Sequence, residues 1–137
     1  KRLRGSPLDA WADERGLVFS TDPPYEILRT PHLAEAELED IRRFASHWER
    51  CWNRGAMPRG MQRLLFDSGA EPWEAFERYS RALAPLGRHG IDLIDRLRLL
   101  LEVLTRDFGH SPDEVKADLR ADYLAGGKRR NVPRFLR

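Results

Sequence analysis

The chain has 137 residues and a mass of 15.9 kDa, which is the size of one compact domain. Charged residues make up 34% of it, above the roughly 25% of an ordinary globular domain, so we expect solvated helix faces. The longest uninterrupted aliphatic run is Leu99 to Leu101, which excludes a membrane-spanning helix of the usual length. The single cysteine, Cys51, cannot form an internal disulfide, and no apolar signal sequence opens the chain, so we expect a cytoplasmic protein.

The first 30 residues predict a short helix followed by an extended strap. Ser6 can cap the helix and Pro7 suits its first position, while Gly16 ends it. The apolar, partly β-branched run 17–19 and the Pro23-Pro24 pair then predict extended chain that wraps over helices. A two-stranded ribbon is the alternative for this segment.

Beyond residue 30 the apolar residues recur at spacings of three and four, which predicts helices. The most regular stripe places one helix over residues 34–53 and consists of Leu38, Ile41, Ala45, Trp48 and Trp52. Four more helices follow, each opened by a proline or a capping side chain. They are predicted from Pro58 to Ser68-Gly69, from Pro72 to Pro85, from Leu93 to about Phe108, and from Ser111-Pro112 to Gly126-Gly127.

These elements predict an all-α fold, a five- to six-helix orthogonal bundle with an extended N-terminal strap. Residues 1–30 are interpreted as the short helix and strap, and residues 31–127 as the helical domain. Residues 128–137 form a basic C-terminal tail, because the five basic residues after Asp122 have no acidic neighbour. The sequence isoelectric point near 9.0 therefore describes the ends of the chain more than its body.

One pair of residues suggests a metal site. His47 and Cys51 lie four residues apart and share a helix face, but zinc would need at least two further ligands. We favour the structural interpretation, a half-buried thiol beside an exposed or capped imidazole.

An acidic group opens the long helix, and it invites an acid-base interpretation. It consists of Glu35, Glu37, Glu39 and Asp40. Because anions in the first turn offset the positive end of the helix dipole, we expect these side chains to be structural and solvated.

The tryptophans near Arg42, Arg43, Arg50 and Arg54 could stack on single-stranded nucleic acid. Since Trp48 and Trp52 share the stripe with aliphatic residues, the sequence predicts instead that they fill the core. The basic tail could contact phosphates, although such termini are usually solvated, so nucleic-acid binding stays a minor alternative.

The order of several short segments resembles one known region. The segments are residues 1–8 (KRLRGSPL), 14–19 (ERGLVF), 23–28 (PPYEIL), the helix from Leu33 to Gly55, 122–127 (DYLAGG) and 131–136 (NVPRFL). Together they are similar to the C-terminal domain of unknown function that follows the barrel in cobalamin-binding radical SAM proteins. In that family the stretch resembling residues 3–8 closes the barrel, so we expect this chain to be an excised part of a longer polypeptide.

The resemblance implies a parent protein with a cobalamin-binding domain and a barrel whose cysteine triplet holds a four-iron four-sulfur cluster that cleaves S-adenosylmethionine. This chain has no Cys-x-x-x-Cys-x-x-Cys and no Asp-x-His-x-x-Gly, so no catalytic, cofactor-binding or metal residue carries over to it. We therefore expect no cofactor in this chain itself.

The functional hypothesis is a non-catalytic accessory domain of a possible methyltransferase, whose partner is the preceding barrel of the same polypeptide. Exposed aromatics mark inter-domain faces, so we predict Trp11, Phe19 and Tyr25 as contact residues. The alternative is a free-standing helical module that binds protein or nucleic acid through its basic tail. A third possibility is a small enzyme with an acid or metal site between Glu35 and Cys51.

Overall fold

The computed structural model describes residues 5–127 and 131–137, and the chain divides into two compact units, Lys1–Arg42 and Arg43–Arg137. The division lies inside one long helix. The predicted domain boundaries at residues 30 and 127 stay a prediction.

The first unit contains a short helix, a two-stranded ribbon and the beginning of the long helix. Helix α1 spans Pro7–Trp11, strand β1 spans Val18–Phe19, and strand β2 spans Ile27–Arg29. The Oγ of Ser6 accepts a hydrogen bond from the backbone N–H of Asp9, as the sequence predicts for a helix cap. The two strands pair antiparallel, so the strap folds back on itself as the ribbon that was the alternative.

Helix α2 spans Glu35–Trp48 and continues as a π-helical turn over Glu49–Asn53. Its first part is attached to the ribbon, because the guanidinium of Arg42 donates to the carbonyl of Ile27 and lies 3.7 Å from the carboxylate of Glu26. The predicted helix over residues 34–53 is thus confirmed, with its last turn wound more loosely than an α-helix.

Four further helices form the second unit together with the end of α2. Their bounds are Pro58–Phe66 for α3, Pro72–Leu83 for α4, Leu93–Arg106 for α5 and Pro112–Ala125 for α6. Short 3₁₀ turns lie at Ala84–Leu86 and Arg134–Leu136. Proline occupies the first turn of α3, α4 and α6, where no backbone donor is needed, and the Asp92 side chain caps α5 as predicted.

The core of the second unit lies between α3, α4, α5 and α6, which pack against one another. Gly60 lets α3 approach its neighbours closely, because an added Cβ would lie 2.4 Å from Leu119 and 2.8 Å from Leu100. Leu136 is buried against this core, so the described part of the predicted basic tail is anchored there, while its basic residues Arg134 and Arg137 are exposed. Residues 128–130 of that tail lie outside the described residues.

The predicted helical fold is confirmed, since helices dominate residues 5–127 and 131–137 and the sheet found there has two strands. The orthogonal arrangement stays a prediction. None of the helices in these ranges is long and apolar enough to cross a membrane.

Some local predictions were wrong. The sequence places Ile41 and Trp52 on the apolar stripe of α2, but their exposed fractions are 49% and 37%. A period of three and four identifies a helix face but does not show how much of that face a neighbour covers. Ser111 precedes α6 at a position where serine often forms a capping box with a glutamate three residues later, but its side chain makes no cap hydrogen bond.

Candidate functional site

The three residues predicted to contact a preceding domain lie on different elements of the first unit. Trp11 ends α1 and is half-buried, and the guanidinium of Arg15 lies 4.4 Å from its ring centroid. Phe19 is half-buried in β1. Tyr25 lies just before β2 and is 39% exposed. Their role in an inter-domain contact stays a prediction.

Tyr25 has an unusual backbone for a tyrosine, with a φ of 53°. Its N–H donates to the carbonyl of Asp22, which closes the turn between the two strands. A bulky residue in the left-handed region costs of the order of 1–3 kcal/mol, and such strain is concentrated at functional positions. The ribbon therefore presents an aromatic ring on a strained turn.

The acidic group at the start of α2 does not converge on a reaction centre. The Glu37 carboxylate accepts a hydrogen bond from the backbone N–H of Ala34, and Glu39 lies 3.5 Å from the guanidinium of Arg42. All four acidic side chains are exposed. These contacts support the structural interpretation, in which Glu37 caps the helix.

His47 is fully buried, so of the two predicted alternatives, an exposed or a capped imidazole, the exposed one is wrong. Its Nδ1 lies 2.8 Å from the Oγ of Ser80, and its Nε2 lies 3.2 Å from the carbonyl oxygen of Gly87. Because a carbonyl only accepts, Nε2 carries the proton and Nδ1 accepts from the Ser80 hydroxyl. Burial lowers the pKa of His47 below its ordinary value, and the nearby Arg43 and Arg50 lower it further.

Cys51 is also buried, one turn further along the same helix, in the π-helical segment. Tyr79 and Arg96 lie next to the thiol. The Tyr79 hydroxyl donates to the carbonyl oxygen of Arg96, and the guanidinium of Arg96 donates to the carbonyl oxygen of Arg50. Burial raises the pKa of the Cys51 thiol, which keeps the thiol protonated and unreactive. The predicted half-buried thiol is therefore fully covered.

The predicted metal interpretation gains no further ligands from the structure. Both ring nitrogens of His47 are engaged by Ser80 and Gly87. Among residues 5–127 and 131–137, no group of three or more His, Cys, Asp or Glu side chains is arranged to hold a metal ion.

A buried carboxylate lies at the N-terminus of α3, where no local side chain caps the helix. Asp122 of α6 accepts hydrogen bonds from the backbone N–H groups of Arg59 and Gly60, at 3.3 Å and 3.0 Å. Burial raises the pKa of Asp122. Nearby, the Arg63 guanidinium pairs with Asp118 and with Glu114, so α3 and α6 are joined by charge as well as by apolar packing.

Aromatic side chains form a partly exposed cluster where the end of α2 meets α3 and α4. The Phe44 ring stacks on Trp73 with a centroid distance of 4.1 Å, and Trp48 meets Phe76 edge to face at 4.8 Å. Trp52 lies 6.1 Å from Phe66. The sequence prediction that Trp48 and Trp52 fill the core is therefore only partly right, because Trp48 is half-buried and Trp52 is exposed.

Two of these features, the cap that Asp122 provides and the exposed rings of Phe66 and Trp73, have a signal in the sequence that the spacing of apolar residues did not reveal. Helix α3 begins at Pro58 after Met57, which cannot cap it, so a remote acceptor such as Asp122 is required. Phe66 and Trp73 flank a polar, glycine-containing loop, which is an unusual place for large apolar side chains that belong to a core. The burial of His47 has no such local signal.

Comparison with known proteins places the chain in a family without revealing an activity. A family model described as "Protein of unknown function (DUF4080)" matches residues 13–137. No curated protein and no solved structure matches the chain. Because the match to this family model covers nearly all of the sequence, including the ribbon and all helices from α2 to α6, the chain belongs to the DUF4080 family of proteins of unknown function.

Proposed function

We propose that this chain is an accessory domain, without catalysis of its own, that packs on the barrel of a cobalamin-dependent radical SAM enzyme in the cytoplasm and shapes substrate access. The observation that carries the proposal is the ordered set of segments from residue 1 to residue 136, which resembles the domain that follows such barrels. Membership of the DUF4080 family over residues 13–137 is consistent with it. The parent reaction would be a radical reaction, with methyl transfer as one candidate.

The residues of this chain do not fit the iron-sulfur cluster that the proposal assigns to the parent. A four-iron cluster on a radical SAM barrel is held by three cysteine thiolates, and this chain has Cys51 alone. The Cys51 thiol is 1% exposed and its pKa is raised by burial, both of which oppose metal binding. The cluster and the S-adenosylmethionine beside it would therefore be held by the barrel.

The proposed contact with the barrel involves the first unit. Trp11, Phe19 and Tyr25 all retain accessible surface there, and Tyr25 lies on the strained turn between the two strands. Tyrosine and tryptophan are enriched among the residues that contribute most to the affinity of an interface.

The first experiment is to read the coding sequence that precedes Lys1. The proposal expects a long open frame with a cobalamin-binding domain and a Cys-x-x-x-Cys-x-x-Cys triplet. An upstream frame without that triplet contradicts it, as does a 137-residue chain that binds a four-iron cluster or cleaves S-adenosylmethionine after anaerobic reconstitution.

The second experiment measures binding between the separately produced barrel and the 137-residue chain. Tyr25→Asn removes the ring but keeps a residue that tolerates a positive φ, so the ribbon should remain folded. We expect this variant to bind the barrel about tenfold more weakly. Leu124→Ala is the matched control, since Leu124 is 42% exposed on α6, in the second unit. Equal loss in both variants would show that Tyr25 has no special role.

A further inference from the structure

Five aromatic side chains of the second unit form a continuous row, which we call the aromatic row. In order along the row they are Trp73, Phe44, Trp48, Trp52 and Phe66, and successive ring centroids lie 4.1, 6.2, 5.9 and 6.1 Å apart. Trp73 and Phe66, at the two ends, are about 60% exposed, and Trp52 is 37% exposed. Contiguous apolar surface of this kind is uncommon on a protein that has no partner.

A groove runs beside one end of the aromatic row. Its volume is about 340 Å³, and its lining residues are Phe44, Ala45, Trp48, Glu49, Asn53 and Trp73. The walls are aromatic, and the only charge among the lining residues is the Glu49 carboxylate. A groove of this form suits one large apolar side chain, such as the anchor residue of a docked peptide.

The loop between Phe66 and Trp73, which are the two ends of the aromatic row, and the first turns of α4 that follow it are acidic. Residues 66–77 carry four carboxylates and no basic residue. Within residues 5–127 and 131–137, Glu77 pairs with Arg81 at 2.6 Å, whereas Asp67, Glu71 and Glu74 form no ion pair. The carboxylates in the first turn of α4 also suit the helix dipole, but Asp67 follows the C-terminus of α3, where the dipole favours a cation.

The charge beside the row selects the chemistry of its partner. The arginines of α2 contribute less to the charge of this border, because Arg54 lies 3.8 Å from the Glu49 carboxylate and the Nε atoms of Arg43 and Arg50 are buried. The carboxylates of Asp67, Glu71 and Glu74 oppose the phosphates of nucleic acid, so base stacking on these rings is disfavoured. The same carboxylates attract a surface that is both apolar and cationic. The length of the row, five rings, exceeds what one small molecule would cover but suits an amphipathic helix with apolar residues at intervals of three and four.

We propose that the aromatic row docks a basic amphipathic helix of a separate protein, with one large apolar side chain of that helix seated in the groove beside Trp73. The barrel contact proposed above uses residues of the first unit, whereas the row consists of residues of the second. Lysine and arginine on the flanks of the helix would face Asp67, Glu71 and Glu74. This docking does not depend on whether the parent protein is a radical SAM enzyme.

The binding test uses the full 137-residue chain and two synthetic helical peptides of about five turns with the same Leu and Phe stripe. One peptide has lysines on both flanks of the stripe, and the other has glutamates. We expect the lysine peptide to bind at least about tenfold more tightly and to lose affinity as salt rises. Equal binding of the two peptides would overturn the proposal, as would preferential binding of single-stranded oligothymidine.

Two variants identify the surface. Trp73→Ala is expected to weaken binding of the lysine peptide about tenfold, while Leu124→Ala, which removes an exposed side chain on α6, is expected to leave it unchanged. Circular dichroism verifies that both variants keep their helices. If both variants bind like the unsubstituted chain, the peptide docks elsewhere and the proposal is wrong.

A charge variant tests the acidic border without removing any aromatic ring. Replacing Asp67, Glu71 and Glu74 by their amides should reduce the affinity and flatten its salt dependence. Replacing three carboxylates on α5 and α6, by Asp95→Asn, Glu102→Gln and Asp113→Asn, is the control with the same net charge. Equal effects from the two sets would show that net charge, and not this border, attracts the peptide.

A second copy of this chain is the competing occupant of the row. Sedimentation of the 137-residue chain across a range of concentrations distinguishes it from a separate helix. We expect a monomer whose mass is unaffected by Trp73→Ala. A dimer that Trp73→Ala converts to a monomer would assign the row to self-association and overturn the proposal.

Discussion

The Asp122 carboxylate caps α3, because its Oδ2 lies 3.0 Å from the backbone nitrogen of Gly60 although the two residues are 62 positions apart. Its Oδ1 accepts from the N–H of Arg59. Residues near the start of α3 supply no cap, so α6 provides in tertiary structure what Ser, Thr, Asn or Asp at the N-cap usually provides locally. The fold of the second unit thus depends on a polar contact that is itself buried.

We expect Asp122→Ala to lower the free energy of unfolding by about 1–3 kcal/mol, since it leaves the buried N–H of Gly60 and the part-buried N–H of Arg59 without their acceptor. Asp122→Asn keeps the shape and one acceptor oxygen, so it should cost less. Urea unfolding followed by circular dichroism measures both. Asp67→Ala is the control, because this exposed carboxylate at the end of α3 should change stability by less than about 0.5 kcal/mol. Similar losses for Asp122→Ala and Asp67→Ala would contradict the cap.

Gly60 gives a second stability prediction, in which packing opposes helix propensity. Alanine favours a helix interior over glycine by about 1 kcal/mol, so Gly60→Ala would be stabilising at an exposed site. Here the new Cβ would lie 2.4 Å from a methyl carbon of Leu119 and 2.8 Å from one of Leu100, both fully buried. We expect a net loss of about 1–3 kcal/mol in urea unfolding.

A double variant tests whether that loss comes from the clash. Leu119→Ala alone removes core volume and should cost about 2–5 kcal/mol. Combined with Gly60→Ala, it makes room for the new methyl group, so the two losses should not add. Additive losses would show that the contact with Leu119 is not what makes Gly60→Ala destabilising.

The helices could be predicted from the sequence because their signals are local. Proline at the first position of α3 and α4, and the cap of Asp92 on α5, act within a few residues, and the structure has helices at those places. From the sequence, the ribbon is only an alternative to an extended strap, because two short strands are stabilised mainly by what they pack against and not by local signals.

The polar contacts of the core could not be predicted in this way. His47 is neutral and buried because Ser80, 33 residues away, and the Gly87 carbonyl satisfy both ring nitrogens. The exposure of Trp52 and Trp73 also depends on where neighbouring helices end. Spacing along one helix carries no information about either, so the sequence predicts an exposed or capped imidazole at His47 and places Trp52 in the core.

His47 makes the stability of the chain depend on pH. Burial lowers its pKa in the folded state below the ordinary 6.5, so between those two values the unfolded chain binds more protons than the folded one. Stability from this group is therefore fully present above pH 6.5 and is lost as the pH falls toward the folded pKa. Urea unfolding between pH 5 and pH 8 should show that loss.

His47→Gln removes the titrating group. The stability of this variant should therefore depend less on pH over the same range than the stability of the unsubstituted chain. His32→Gln is the control, because His32 is exposed. The stability of the control variant should depend on pH as that of the unsubstituted chain does. If His47→Gln kept it as well, another group would be responsible.

The thiol of Cys51 provides a probe of unfolding that needs no substitution. The side chain is 1% exposed and burial raises its pKa, so a thiol reagent can attack only after the π-helical end of α2 opens. We expect labelling of the native chain at pH 8 to be slower by at least about a thousandfold than labelling of the chain in urea, because the free energy of unfolding of a native domain is several kcal/mol.

The variant Asp122→Ala shows which unfolding event exposes Cys51. Because Asp122→Ala lowers the free energy of global unfolding, it should speed labelling if Cys51 becomes accessible only when the whole second unit unfolds. A labelling rate that is unchanged in that variant would show that the end of α2 opens locally, while α3 to α6 remain folded.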